Sequence, residues 1–317
     1  MRKKGRGLAF LFGAALLGVW MSSCQNLSSA ALGSVNRDSV EVIEQEGTVS
    51  VKKPLLLDKW DSLQRNQIHF VVDTVKRVDI KTQKKMLKDS LRREFDKKPK
   101  HVYLTFDDGP LVGSAAIDSL AKAKNIKVNV FLVGKHANSG KARKRDLARY
   151  ESNPLIACYN HSYTHAHNRY TYFYSNATTA FQDFEKNEND LNLKHKIVRL
   201  PGRNIWIYDD VRKIDLQSGA STADLLFENG YKIYGWDVEW RINSLTGVPV
   251  QTLGTVYGKT RSFLNNKSSM TPNNVVLLMH DDMFQTKKGQ ELLAGLIDSL
   301  KKEDYKFEFI QDYPIKY

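Results

Sequence analysis

Cysteine is all but missing. In 317 residues only Cys24 and Cys158 occur, and they form no metal-type pair, which excludes a thiolate-held metal centre. Cys24 stands where processing would consume it, so Cys158 is left without a partner and reads as a small hydrophobe buried in a strand, not a nucleophile. No apolar run is long enough to make a convincing membrane span, the best being residues 8–20. No internal repeat is found. A net charge of +13 comes without any nucleic-acid-binding module, so no nucleic acid is expected as a partner.

What is present is a chain rich enough in core formers to fold: 41% hydrophobic and 10% aromatic residues. The length suits one large domain with an appendage. The excess of Lys and Arg favours anionic surroundings such as a membrane face or a wall polymer. Arg2, Lys3, Lys4 and Arg6 form a basic start, followed by the apolar run and then Met21-Ser22-Ser23-Cys24. This is the layout of an export signal. Small residues directly before a cysteine resemble the lipobox of bacterial lipoproteins, with Met21 where Leu is commoner. The resemblance implies cleavage before Cys24 and lipid on its thiol, tethering the chain to a bacterial membrane in the cell envelope. Three regions are therefore expected: a lipoprotein signal (1–24), a linker with a basic helical segment (25–99), and the main domain (100–317). Within the second, residues 28–46 lack periodicity, whereas residues 81–98 make a charged helix with a thin apolar stripe, expected to be solvated and packed on the main domain.

From His101 onward strands and helices alternate over about 210 residues, which predicts an α/β fold with a parallel sheet or barrel. Helices are expected at 114–124, 178–192, 222–229, 249–264 and 290–301. Strands are expected at 128–133, 155–159, 197–200, 232–236, 275–280 and 305–310.

The ends of these strands carry the chemistry. Val102-Tyr103-Leu104 runs into Thr105-Phe106-Asp107-Asp108-Gly109-Pro110, placing two carboxylates at a strand's C-terminal end. Adjacent carboxylates repel unless a metal takes one and leaves the other free to accept a proton. The next cluster, Asn160-His161-Ser162-Tyr163-Thr164-His165, offers two imidazoles four apart, which one helical turn would aim the same way. Two imidazoles and one carboxylate, with open positions left for water, is the pattern of a catalytic divalent-metal site. His167 breaks that spacing and reads as an exposed bystander. Arg199, before Pro201-Gly202, offers a guanidinium to hold a carboxylate ionised. Trp236-Asp237-Val238-Glu239-Trp240 supplies acid and indole groups suited to a sugar cleft. Val275 to Met279 is an apolar stretch ending in His280, a proton donor usable at neutral pH.

Taken in order, Thr105-Phe106-Asp107-Asp108-Gly109-Pro110, His161-Ser162-x-x-His165, Arg199-x-Pro201, Trp236-x-Val238-Glu239 and Leu277-x-x-His280 resemble the five motifs of the NodB-like polysaccharide deacetylases, carbohydrate esterase family 4. Residues 125–134 also resemble the family's second strand. The likeness covers about residues 101–310. It implies a distorted, incomplete (β/α) barrel and a hydrolase that removes acetyl groups from N-acetylated amino-sugar polymers such as peptidoglycan or chitin-like glycans. Asp108, His161 and His165 would hold a divalent metal ion, usually Zn2+ in this family. Asp107 would be the general base, Arg199 its orienting partner, and His280 the general acid for the leaving amine. Two departures stand out. Gly202 replaces the family's common tyrosine, keeping the N–H for the oxyanion but not the ring. The acid that supports the catalytic histidine has no clear counterpart: Asn243 or Glu239 falls there depending on which tryptophan is aligned, and Glu239 is the expectation. Within enzymes, the alternative is an O-acetyl polysaccharide esterase of the xylan type. Outside them, it is a non-catalytic glycan-binding surface lipoprotein, against which Asp107 and His280 both argue.

Overall fold

The computed structural model describes residues 79–243 and 245–314, together with two short strands nearer the N-terminus. Those strands, β1 (Ile43–Gln45) and β2 (Thr48–Ser50), pair antiparallel. The expected signal segment, Cys24 and most of the expected linker lie outside the described residues. Among the described residues, no helix is long and apolar enough to cross a membrane.

Contacts divide the chain after Val75, and the unit from Lys76 onward holds everything discussed below. It begins with α1 (Ile80–Asp96), capped by Asp79, whose carboxylate accepts from the Thr82 N–H at 3.0 Å. No residue of this helix is buried, and Met86, Leu87 and Leu91 are exposed. Its C-terminal end is fastened by Lys267 on Asp96 at 2.8 Å and by the Asn273 amide on the Phe95 carbonyl.

The main sheet follows: β3 (His101–Gly109), α2 (Ser114–Lys124), β4 (Val128–Leu132), α3 (Gly134–Ala137), α4 (Lys141–Ser152) and β5 (Ile156–Asn160). Then come α5 (Tyr170–Phe173), α6 (Ala177–Leu191), β6 (Ile197–Val198), β7 (Ile205–Tyr208), β8 (Val211–Ile214), α7 (Ala220–Glu228) and β9 (Lys232–Ile233). The chain closes with β10 (Val238–Glu239), α8 (Leu253–Asn266), β11 (Asn274–His280), α9 (Lys287–Lys302) and β12 (Lys306–Phe307). Strand order is β10-β11-β3-β4-β5-β6-β9-β7-β8, with β12 also on β3. Every pair from β10 to β9 is parallel, whereas β7 runs antiparallel to both β9 and β8. The sheet is curled and unclosed, the expected half-barrel.

Alternation along the strands sorts the two faces of the sheet. Val102, Leu104 and Phe106 face the helical layer with Leu296 and Ile297 of α9, while Tyr103, Phe131, Tyr159, Trp206, Tyr208 and Tyr234 fill the other face. Tyr208 and Tyr234 stack there, ring centres 5.0 Å apart. A parallel sheet buried on both faces aligns all its C-terminal strand ends along one edge, so Asp107, His161, Arg199, Glu239 and His280 emerge together. The β7–β8 hairpin and the basic helix α4 are among the elements that hydrophobic periodicity did not single out.

Candidate active site

Successive residues of a strand point to opposite faces, so Asp107 and Asp108 should not share a site. A bulge resolves this. Against β4, Phe106 pairs with Val130 and Gly109 with Leu132, which leaves one extra residue on β3. Asp108 takes a left-handed backbone, φ +70°, and its carbonyl accepts from the His136 Nδ1–H at 2.6 Å. Both carboxylates then turn to the same imidazole: His161 Nε2 lies 3.6 Å from Asp107 Oδ2 and 3.5 Å from Asp108 Oδ1.

His161 and His165 do converge, with ring centres 5.2 Å apart, but not on the helical turn the spacing suggested. Ser162 has φ +67°, and the four residues from His165 to Asn168 all have positive φ. This left-handed segment is held from outside. Asn160 Oδ1 accepts from the Ser162 N–H, the Asp183 carboxylate from the Thr164 N–H, and Ser162 Oγ from the His165 N–H. Each imidazole is further fixed by its far nitrogen: His161 Nδ1–H donates to the Arg199 carbonyl at 2.8 Å, and His165 Nδ1–H to Asn168 Oδ1 at 2.9 Å. Both Nε2 atoms are thereby aimed at one point.

That point is suited to a cation. Asp108, His161 and His165 each offer a ligand atom within 4.8 Å of the others, and Asp108 Oδ1, 3.0 Å from His165 Nε2, is buried with no hydrogen-bond partner. Burial drives the His161 imidazole down to about 4, so it stays neutral and able to ligate at physiological pH. For Asp108 burial works to raise the carboxyl, but the surrounding histidines outweigh it and hold the group below the ordinary carboxylate range. A carboxylate oxygen facing two imidazole nitrogens, buried where no other group reaches it, is an arrangement that a divalent ion would complete.

Beneath it Asp107 is tied to Arg199, both essentially fully buried. Arg199 Nη1 donates to Asp107 Oδ1 at 2.8 Å and to Thr105 Oγ1 at 2.7 Å, Nε to the Tyr234 carbonyl at 3.1 Å, and Nη2 to the Gly235 carbonyl at 2.8 Å. Asp107 is thus fixed through one oxygen while Oδ2 remains toward His161. On the neighbouring strand His280 pairs in register with Asp107. Its Nδ1 is buried without a hydrogen-bond partner among the described residues.

Gly202, Trp236 and Glu239 line the same cleft. The Gly202 N–H has no acceptor among the described residues and is available to a ligand. Trp236 is set by Asn204, whose amide bonds both the N–H and the C=O of that residue. The structure does not bring Glu239 onto His280, since its carboxylate makes no hydrogen bond to that ring. Asn243 is exposed and used locally, accepting from the N–H groups of Leu245 and Thr246. His167 is exposed, as its spacing suggested. The Cys158 thiol, pushed up to about 12 by burial, is inert.

Sequence reasoning overlooked Asp281. Fully buried, it accepts from the Gly113 N–H at 3.0 Å, Ser114 Oγ–H at 2.6 Å and Tyr150 O–H at 2.6 Å. It thereby fastens the residue after His280 to the loop that follows the two aspartates. The only available signal was an acid directly after a strand-terminal histidine.

Comparison with known proteins finds likenesses of sequence and of fold. Residues 95–213 match the family model described as polysaccharide deacetylase. A curated relative, chitin disaccharide deacetylase of Vibrio alginolyticus, is 25% identical over 304 residues, covering 67% of this chain and 71% of the relative. Among solved structures, the catalytic domain of peptidoglycan N-acetylglucosamine deacetylase from Eubacterium rectale superposes with TM-score 0.52 at 21% identity, covering 70% of this chain and 93% of that one. A CE4 esterase of Streptococcus mutans gives 0.50 at 21%, covering 69% and 90%. These two likenesses bear on the fold.

Proposed function

We propose, for a chain that carries a polysaccharide deacetylase domain of the NodB type, that it is a metal-dependent hydrolase removing acetyl groups from an N-acetylated amino-sugar polymer, with peptidoglycan or a chitin-like glycan as substrate. The observation that carries the reading is the pairing of Asp107, locked by Arg199, with His280 at the same level on the next strand, beside three convergent ligands.

Asp108, His161 and His165 are the residues that would hold the ion. A divalent cation, zinc in the first instance, supplies Lewis acidity toward the acyl oxygen and makes a water acidic enough to attack at neutral pH. The remaining work belongs to the chain. Asp107 Oδ2 accepts the proton of the attacking water, and Arg199 keeps that carboxylate aimed. The Gly202 N–H stands free to donate to the acyl oxygen. His280 gives its proton to the nitrogen as the C–N bond breaks, and acetate and a free amine leave. An amide nitrogen departs only when protonated, so a dedicated donor opposite the base favours N-acetyl over O-acetyl substrates. The curated relative's name, chitin disaccharide deacetylase, points the same way.

We also propose that the protein is exported and lipid-anchored through Cys24, on the basic start, apolar run and Ser-Ser-Cys ending of residues 1–24. Incorporation of labelled palmitate that disappears in Cys24→Ser tests this.

For the chemistry, the decisive experiment is acetate release from a panel of N- and O-acetylated glycans. Release from chitooligosaccharide or peptidoglycan should be abolished by chelation and restored by zinc, and Asp107→Ala and His280→Ala should abolish it while zinc still binds. Release unchanged by chelation and by both substitutions would refute the mechanism. Release from acetylated xylan alone would assign O-acetyl esterase activity instead.

A further inference from the structure

Tyr170 opens the short helix α5 and has no role in the reaction above, yet it is built into the site. Its ring meets the His165 imidazole edge-on, centres 5.9 Å apart with planes at 86°. It also covers Gly202: a Cβ built on that glycine would lie 3.2 Å from three of the Tyr170 ring carbons. The Arg203 guanidinium, itself buried, sits 5.7 Å from the ring centre. The ring is therefore confined by a ligand imidazole, a bare backbone and a cation. Despite this confinement Tyr170 is only half-buried, and it lines the cleft with Asp107, Asp108, Trp236 and His280. Its hydroxyl bonds to no protein group among the described residues.

A rigid aromatic surface costs little entropy to use, binds the C–H faces of a pyranose, and here carries a free hydroxyl for a sugar oxygen. We infer that Tyr170 is a substrate-contacting residue that holds the sugar bearing the scissile acetamido group and sets affinity for the glycan. This rests on the polysaccharide reading above, and the test separates the two.

The assay is acetate release from chitotetraose by the zinc-loaded full chain, with zinc affinity measured in parallel. Tyr170→Ala should raise KM about tenfold, the scale of one lost aromatic contact, with kcat within about threefold and zinc affinity unchanged. Tyr170→Phe should fall between the two in KM. Unaltered KM in Tyr170→Ala would overturn the inference, and so would a loss of zinc affinity that accounts for the lost turnover, because the ring would then serve His165 alone. Wild-type protein inert on every N-acetylated glycan would overturn the polysaccharide reading and this inference with it.

Discussion

Arg199→Lys keeps the charge and removes the fork, which makes it a direct test of how Asp107 is held. The guanidinium satisfies four acceptors at once: Asp107 Oδ1, Thr105 Oγ1 and the carbonyls of Tyr234 and Gly235, over 2.7 to 3.1 Å. A lysine ammonium has three donors on a single atom, so it can follow the carboxylate or the two carbonyls but cannot span both sides. At least one buried carbonyl is stranded, and the contact of the guanidinium with the Phe131 ring, 4.3 Å from its centre, is lost. One or two unpaired buried acceptors at about 1–3 kcal/mol each give an expected destabilisation of roughly 1–6 kcal/mol. Misorientation of the base should lower kcat/KM by about 10²-fold or more. Urea unfolding measures the first and acetate release the second. A variant that unfolds at the wild-type urea concentration and works within about threefold of wild type would show that the four-way clamp contributes neither stability nor aim.

Three further outcomes follow from neighbouring groups. Burial lowers the His165 imidazole, but the Asp108 carboxylate 3.0 Å from its Nε2 more than reverses this, so the ring titrates above its ordinary value in the metal-free chain; zinc bound as proposed would have to displace that proton, and affinity should rise with pH by up to about tenfold per unit until His165 is neutral, a slope that His165→Ala should abolish in a chelator competition. Asp237, accepting from the Met270 and Val276 N–H groups at 2.7 and 2.9 Å, is pushed up to about 6 by burial. Its contribution is therefore fully present below about pH 4 and is lost as pH rises through 6, of order 3 kcal/mol; urea unfolding should find Asp237→Ala less damaging at pH 7 than at pH 4, and an equal penalty at both would refute the assignment. Asp281→Ala leaves the Gly113 N–H and two hydroxyls unpaired in the core and should cost about 2–4 kcal/mol, checked by thermal unfolding.

The amino-acid pattern disclosed the architecture because it rests on period and order: apolar runs such as Val275 to Met279 become central strands, and their polar terminators fall on one edge. It also marked which residues meet. How they meet was hidden. His161-x-x-x-His165 reads as a helical turn, but its backbone is dictated by Asn160 and by Asp183, the latter nearly twenty residues away on α6. The bulge that turns Asp108 to the side of Asp107 is a matter of register against β4, which no single-strand pattern encodes. The β7–β8 hairpin went unseen although Ile205-Trp206-Ile207-Tyr208 is strongly β-type, because its Asp209-Asp210 turn contains no glycine or proline. Helix α1 shows the reverse case: its boundaries were legible, but not that it would bury none of its residues.

The register of His280 opposite Asp107 carries a last implication. Neighbouring strands are spaced about 4.8 Å apart by their backbone hydrogen bonds, so the interval between the group proposed to remove a proton and the group proposed to return one is set by the lattice of the sheet. Loops around the rim can be lengthened, shortened or recharged in descendants of this chain without retuning that interval. Recognition is free to drift while the proton traffic beneath it keeps the same gauge.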